Sequence, residues 1–218
     1  MKPRSLWAAW TLAIVLLGGA IAGFVLLRPS ADSSTPSATR PSTSPAAAFL
    51  RVVGKQAPGF SLLDQFGRMH NLASFRGKGV LLTFVSSRCT NLCPLTALLL
   101  RRTEELLGPR SRETQVLAVN ANPRYASVQN VLRWSRKHAM THRWLFLTGP
   151  PTGAVGPLTG LATVWHRYGI VSGGAHTTVI FLIDPQGRVR NVAPIAERAS
   201  LGAEARALAR YVNAMEGG

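Results

Sequence analysis

The sequence predicts an α/β sandwich, a central sheet flanked by helices. Three observations predict it. Apolar runs rich in β-branched and aromatic residues fall at 80–85, 115–119 and 144–147, as in strands buried on both faces. Between and after these runs the apolar period changes to that of helices, and strands alternating with helices form layered α/β structures. Near the end, residues 176–183 and 189–192 bracket Asp184-Pro185-Gln186-Gly187, whose second-place proline and fourth-place glycine suit the turn of a hairpin.

Taken in order, the chain opens on a stretch outside that sandwich. Residues 6–27 carry no charge and are flanked by Lys2, Arg4 and Arg28, which suits a helix crossing the hydrocarbon core of a membrane. Ala20-Ile21-Ala22 has the small-x-small form of a signal cleavage site, but the apolar run continues through Phe24-Val25-Leu26-Leu27. Residues 1–28 are therefore read as a cytoplasmic stub and an uncleaved, single-pass anchor. No cysteine follows the run, so a lipoprotein anchor is excluded. The basic residues ahead of it keep the amino terminus cytoplasmic, and the short leader favours a bacterial plasma membrane over an organelle. Residues 29–48, rich in Ser, Thr, Pro and Ala, lack the apolar side chains that offset ordering entropy and are read as a flexible linker. The folded, extracytoplasmic domain is expected over residues 49–218, long enough to bury a sizeable core.

Within the domain the predicted elements run as follows. A strand at residues 60–63 leads through the turn Asp64-Gln65-Phe66-Gly67 into a short strand at Met69-His70, and a loop over 76–79 precedes the strand at 80–85. Leu95, Leu98, Leu99, Arg102 and Leu106 repeat as a helix, with Pro94 in the first turn and Gly108 past the end. After the strand at 115–119, Val128, Val131, Leu132 and Trp134 mark a second helix. Residues 156–168 are read as a third helix, with Leu158, Leu161, Val164 and Trp165 on one face, and residues 201–215 as a closing amphipathic one.

Composition narrows the function. The net charge is +16, from 25 Lys and Arg against 9 Asp and Glu. The basic residues are scattered and no nucleic-acid motif is present, so the balance points to an acidic partner face or an anionic membrane surface. Two cysteines cannot make a disulfide scaffold.

Those cysteines are where the chemistry lies. Cys89 and Cys93 stand four residues apart in Phe84-Val85-Ser86-Ser87-Arg88-Cys89-Thr90-Asn91-Leu92-Cys93-Pro94, where a strand runs into a helix. The helix dipole and the adjacent Arg88 are expected to lower the thiol pKa values and favour thiolate, the form that binds metal or attacks disulfides. Three uses remain open on the residues alone: a metal site, a redox dithiol, or a structural disulfide. The last is the weakest, since so short a loop adds little stability.

Several phrases together resemble a known family. Gly54-Lys55-Gln56-Ala57-Pro58-Gly59-Phe60-Ser61-Leu62 and Phe75-Arg76-Gly77-Lys78 are similar to the start of the thioredoxin-like redoxins. Cys89-Thr90-Asn91-Leu92-Cys93-Pro94, Val164-Trp165-His166-Arg167-Tyr168-Gly169 and His176-Thr177 ahead of Phe181-Leu182-Ile183-Asp184-Pro185-Gln186-Gly187 resemble the Sco/SenC family of membrane-tethered copper-binding proteins that help assemble cytochrome oxidase. The resemblance spans roughly residues 50–215. It implies a thioredoxin-like sandwich, copper as the ligand, and Cys89, Cys93 and His176 as the metal ligands. Soft copper(I) prefers thiolate and accepts imidazole as a third donor. The implied partners are a cytochrome oxidase subunit or another cuproprotein, and a thiol reductant protein to keep the cysteines reduced. The alternative is a membrane-anchored thiol-disulfide oxidoreductase, with Cys89 attacking and Cys93 resolving.

The other histidines carry less. His138 and His142 have the spacing of a helical metal pair but straddle a helix end; His166 is a packing or solvent residue, and His70 lies in a hairpin. The chain departs from the family pattern at Thr90 and Asn91, and in Val119-Asn120-Ala121-Asn122-Pro123, where family members carry aspartate.

Overall fold

A computed structural model of the protein describes residues 53–171, 178–195 and 200–216. The anchor read at 6–27 and the linker at 29–48 lie outside them. Among the described residues no helix is long and apolar enough to cross a membrane.

A five-stranded mixed sheet forms the centre, in the order β5-β4-β3-β6-β7. β3 (Gly79–Val85) occupies the middle because every residue in it is buried, so it can be covered on both faces and both edges. It pairs in parallel with β4 (Thr114–Asn120), which in turn pairs in parallel with β5 (Leu145–Leu147). On its other side it pairs antiparallel with β6 (Val179–Ile183), and β6 with β7 (Val189–Pro194) through the expected hairpin. In that hairpin the Gly187 N–H donates to the Asp184 carbonyl at 2.7 Å, and glycine takes the positive φ of 74° that the turn requires.

Alternation along the strands sorts the core into two layers. Val80, Leu82 and Phe84 face one side with Leu117, Val119 and Phe181; there α3 (Leu161–Tyr168) covers them with Val164, Trp165 and Tyr168. Leu81 and Val85 face the other side with Val116 and Leu182. That side is covered by α1 (Leu92–Leu107), α2 (Val128–Lys137) and α4 (Leu201–Glu216), with α1 and α4 packed together. The predicted sandwich is thus present, with its layers on both faces of the sheet.

Ahead of the sheet, β1 (Ser61–Leu63) and β2 (Met69–Asn71) form a small hairpin. Its turn is organised by Asp64, which is fully buried and accepts the backbone N–H groups of Phe66 at 2.8 Å and Arg68 at 2.9 Å. His70 Nε2 lies 2.9 Å from the other carboxylate oxygen, giving this histidine a structural partner that the sequence did not signal. Burial alone would raise the Asp64 pKa, but the bonds from Arg68, His70 and Phe66 outweigh it and hold the carboxyl below its usual range.

One expectation needs correction. The third helix begins at Leu161, not at residue 156. Val155 and Leu158 instead exchange backbone bonds of 3.1 and 3.0 Å around the tip Gly156-Pro157, and the Thr159 N–H is tied to the Ser61 carbonyl at 2.8 Å. Those tertiary bonds compete with the first turn of a helix. Gly160 then caps α3 in extended conformation, where a Cβ would collide with the Gly153 carbonyl. The predicted helix α1 is present, and it buries Cys93, Thr96, Ala97, Leu99, Leu100, Thr103 and Leu107, while Leu95 and Leu106 are exposed. The apolar surplus of that helix hid its orientation, and Cys93 is part of what it buries.

Candidate metal centre

The parallel register Phe84↔Val119 and Val85↔Asn120 brings the ends of β3 and β4 level. The loop after β3 carries Cys89 and leads into α1 at Cys93, while β4 ends on Asn120 and the loop after it carries Asn122 and Tyr125. Both follow from strand ends in a parallel sheet, the usual place for ligand sites in such folds.

Ser86 ties the two loops. Its carbonyl accepts the Cys89 N–H at 3.1 Å, and its Oγ accepts the Arg88 N–H at 3.3 Å and the Asn122 Nδ2–H at 3.4 Å. Asn120 is buried and accepts the Asn122 N–H on Oδ1 at 3.0 Å, while its carbonyl accepts the Trp165 indole N–H at 2.9 Å. The phrase that departs from the family pattern is thus a neutral amide network holding the loop beside the cysteines.

Cys89 is half-buried and Cys93 fully buried, and no disulfide joins them. The Cys89 Sγ donates to Asn91 Oδ1 at 3.2 Å and accepts the backbone N–H of Cys93 at 3.3 Å. Asn91, the N-cap of α1, makes no capping bond of its own, so a first-turn amide is met by sulfur instead. The sequence expectation of lowered thiol pKa values fails at Cys93, whose thiol is pushed well up. Burial among apolar side chains is the chief cause; the hydrogen bond to Cys89 and its proximity add to it, and a backbone bond at Ser86 opposes weakly. At the second residue of the helix, Cys93 has the dipole's favour but not the solvent that a thiolate needs.

The Arg88 guanidinium lies 5.0 Å from the centre of the Tyr125 ring, and both residues line an open cleft together with Cys89. The far wall of that cleft comes from α2, with Arg133, Trp134, Lys137 and His138. No pattern in the sequence linked these residues to the cysteine loop.

His176, the third predicted ligand, lies outside the described residues, as does Thr177. Description resumes at Thr178, and β6 pairs with β3 through Thr83↔Ile180. The residue next after His176 that can be placed by pairing, Val179, has its carbonyl held by Thr83 Oγ1 at 2.8 Å. The antiparallel direction of β6 makes its start lie at the same end of β3 as the cysteine loop. The remaining histidines do not converge. His138 packs its ring 4.0 Å from that of Trp134, His142 stacks on Phe66 at 6.3 Å, and His166 is exposed. Among the described residues no three His, Cys, Asp or Glu side chains gather as a metal site.

Comparison with known proteins gives the family. A model of the SCO1/SenC family matches residues 52–213, nearly all of the domain and three-quarters of the chain. The chain belongs to the SCO1/SenC family. Its fold is similar to that of a copper-bound ScoI from Arabidopsis thaliana, with a TM-score of 0.59 and 16% identity over 72% of this chain and 98% of that one. It is similar also to BsSco, a member of the Sco family of cytochrome c oxidase assembly proteins in which a disulfide switch has been identified, at 0.58 and 15% over 74% and 94%. The thioredoxin domain of a thiol-disulfide oxidoreductase from Bacteroides vulgatus matches at 0.54 and 20% over 74% and 98%. Among the curated proteins no match was found. At these identities the structural likeness shows the fold, and that fold is thioredoxin-like.

Proposed function

We propose that this SCO1/SenC protein is a membrane-anchored copper chaperone, holding copper through Cys89, Cys93 and His176 and passing it to a cytochrome oxidase subunit or another cuproprotein. The observation that carries the reading is the pair of thiols in one turn, not joined by a disulfide, with the Cys93 N–H on Cys89 Sγ at 3.3 Å, in a chain of this family. Two sulfur donors suit copper(I), and a third, imidazole donor leaves a low-coordinate ion open to ligand exchange. The direction of β6, which starts at the cysteine end of β3, supports His176 as that donor. Copper-bound and oxidase-assembly Sco proteins of the same fold support copper as the cargo.

Cys93 sets a condition on loading. Its buried thiol must give up a proton to the solvent before its sulfur can bind the metal, so copper replaces that proton in the protein interior. A thiol reductant protein is required to keep the pair reduced in an oxidising envelope. The anchor at 1–28 and the linker at 29–48 give the domain its reach from the outer face of the plasma membrane. Copper(I) titration of the full-length, reduced chain in detergent against a competing chelator tests this. One copper per chain, with uptake sharply weakened by Cys89→Ser and by His176→Ala, supports the reading; indifference to either substitution overturns it.

The asymmetry of the thiols favours a second reading, thiol-disulfide exchange. The Cys89 sulfur, half-exposed, attacks a partner disulfide and releases one partner thiol. Cys93 then attacks the mixed disulfide, leaving Cys89 and Cys93 oxidised and the partner reduced by two electrons. His176 has no role in that sequence of steps, so its substitution separates the two readings.

A further inference from the structure

The cleft between the cysteine loop and α2 is not needed to hold copper, yet Cys89 forms part of its wall. It is an open concavity of about 380 Å³. Its charge comes from two sides. Arg88 projects from the cysteine loop and lies on Tyr125; Arg133 and Lys137 stand one helical turn apart on α2, so both point from the same helix face. All three cations are exposed. Among the described residues no carboxylate lines the cleft. Arg133 is positioned by a 3.3 Å bond to Asn130 Oδ1, and Trp134, whose ring is braced by Trp144 at 5.4 Å and Phe146 at 5.7 Å, also lines the cleft. Burial first and Lys137 second pull the His138 pKa below its ordinary value.

We propose that this cleft is the docking site for an acidic, extended segment of the protein that exchanges copper with Cys89, an inference that rests on the chaperone reading above. A partner that brings a metal ligand or thiol to Cys89 must lay its flanking chain against the adjoining surface. Here that surface offers cations from both the cysteine loop and α2, with aromatic residues among them, a cradle for carboxylates and the backbone joining them. A membrane surface fits less well, since a lipid layer meets convex, coplanar charges and cannot descend into a cleft.

The test uses the full-length chain, reduced and free of copper, in phosphatidylcholine nanodiscs, with a short fluorescein-labelled peptide of alternating glutamate and glycine as probe. Lysine and glutamine versions of the peptide serve as controls, and binding is read by anisotropy at several salt concentrations. Only the glutamate peptide is expected to bind, more weakly as salt rises. Arg133→Glu with Lys137→Glu is expected to weaken it by about tenfold or more. The milder pair Arg133→Gln with Lys137→Gln serves if a melting curve shows the first pair unfolded. Equal binding of all three peptides, or no effect of either pair, overturns the proposal. Competition by phosphatidylglycerol-containing vesicles, but not by phosphatidylcholine vesicles, also overturns it and makes the cleft a lipid site. Because no copper is present, a failed copper titration does not enter this result.

Discussion

The backbone N–H of Cys93 lies 3.3 Å from the sulfur of Cys89, so one cysteine caps the helix in which the other is buried. Ordinarily an N-cap side chain would do this, but Asn91 directs its carbonyl oxygen to the Cys89 thiol instead. The site and the start of α1 are therefore one structure. Whatever engages the Cys89 sulfur, a metal or a disulfide, also acts on the helix end.

If the sulfur is a true cap, its removal costs stability even without copper. Cys89→Ala is expected to destabilise the reduced protein by about 1 kcal/mol, and Cys89→Ser by less, since a hydroxyl can accept the same N–H. Urea unfolding under reducing conditions measures both. Equal stability of the alanine variant and the wild type would show that the amide is satisfied elsewhere.

The raised pKa of Cys93 has a definite consequence at high pH. In the unfolded chain this thiol ionises near 9.0, while in the fold it keeps its proton above that point. The folded state then binds more protons than the unfolded one, so stability present below pH 9.0 is lost as pH rises. The expected slope is about 1.4 kcal/mol per pH unit for one such group. Tyr168, buried with its hydroxyl on the Pro58 carbonyl at 2.9 Å, is raised from 10.0 chiefly by burial and adds a loss of the same sign above that value. Cys93→Ala is expected to flatten the curve between the two onsets and to leave only the Tyr168 contribution to the decline beyond. A decline that starts unchanged in that variant would assign it to other groups.

Asp64 gives the opposite dependence. Its folded pKa lies below the ordinary 3.8, so its contribution is present above that value and disappears as pH falls through the folded pKa. Asp64→Ala strips three partners of a fully buried acceptor and is expected to cost about 2 to 4 kcal/mol. Asp64→Asn is expected to cost less and to remove the acid-side slope. Denaturant unfolding between neutral pH and pH of about 3 resolves the two effects.

How much of this was legible beforehand varies with the range of the forces involved. Both faces of β3, the hairpin at Asp184 and the helix carrying Cys93 could be read locally, because period, proline and glycine act within a few residues. The start of α3 could not, since the bonds from Val155 to Leu158 and from Thr159 to Ser61 are tertiary and unwound what pattern alone extends. The thiol pairing was legible from spacing; the rise at Cys93 was not, because helix dipole and charge are visible in sequence while depth of burial is not. Trp134 was legible as a member of the second helix, but only the packing of α2 beside the cysteine loop makes it, Arg133 and Lys137 line one cleft.

The amide network beside the site makes a further point of test. Trp165 Nε1 donates to the Asn120 carbonyl at 2.9 Å, and from Asn120 the bonds run through Asn122 to Ser86 in the cysteine loop. Trp165→Phe leaves the carbonyl buried and without that donor, at an expected cost of about 1 to 3 kcal/mol. Thermal unfolding measures it, and a shift within error of zero would show that the network does not depend on the indole.

The ligand set itself is most directly tested by X-ray absorption at the copper edge, on the full-length, reduced chain loaded with one copper(I). Two sulfur scatterers and one nitrogen are expected, with outer-shell features of an imidazole ring that vanish in His176→Ala. Imidazole features that persist in that variant, or a shell with a single sulfur, would contradict a centre built from Cys89, Cys93 and His176.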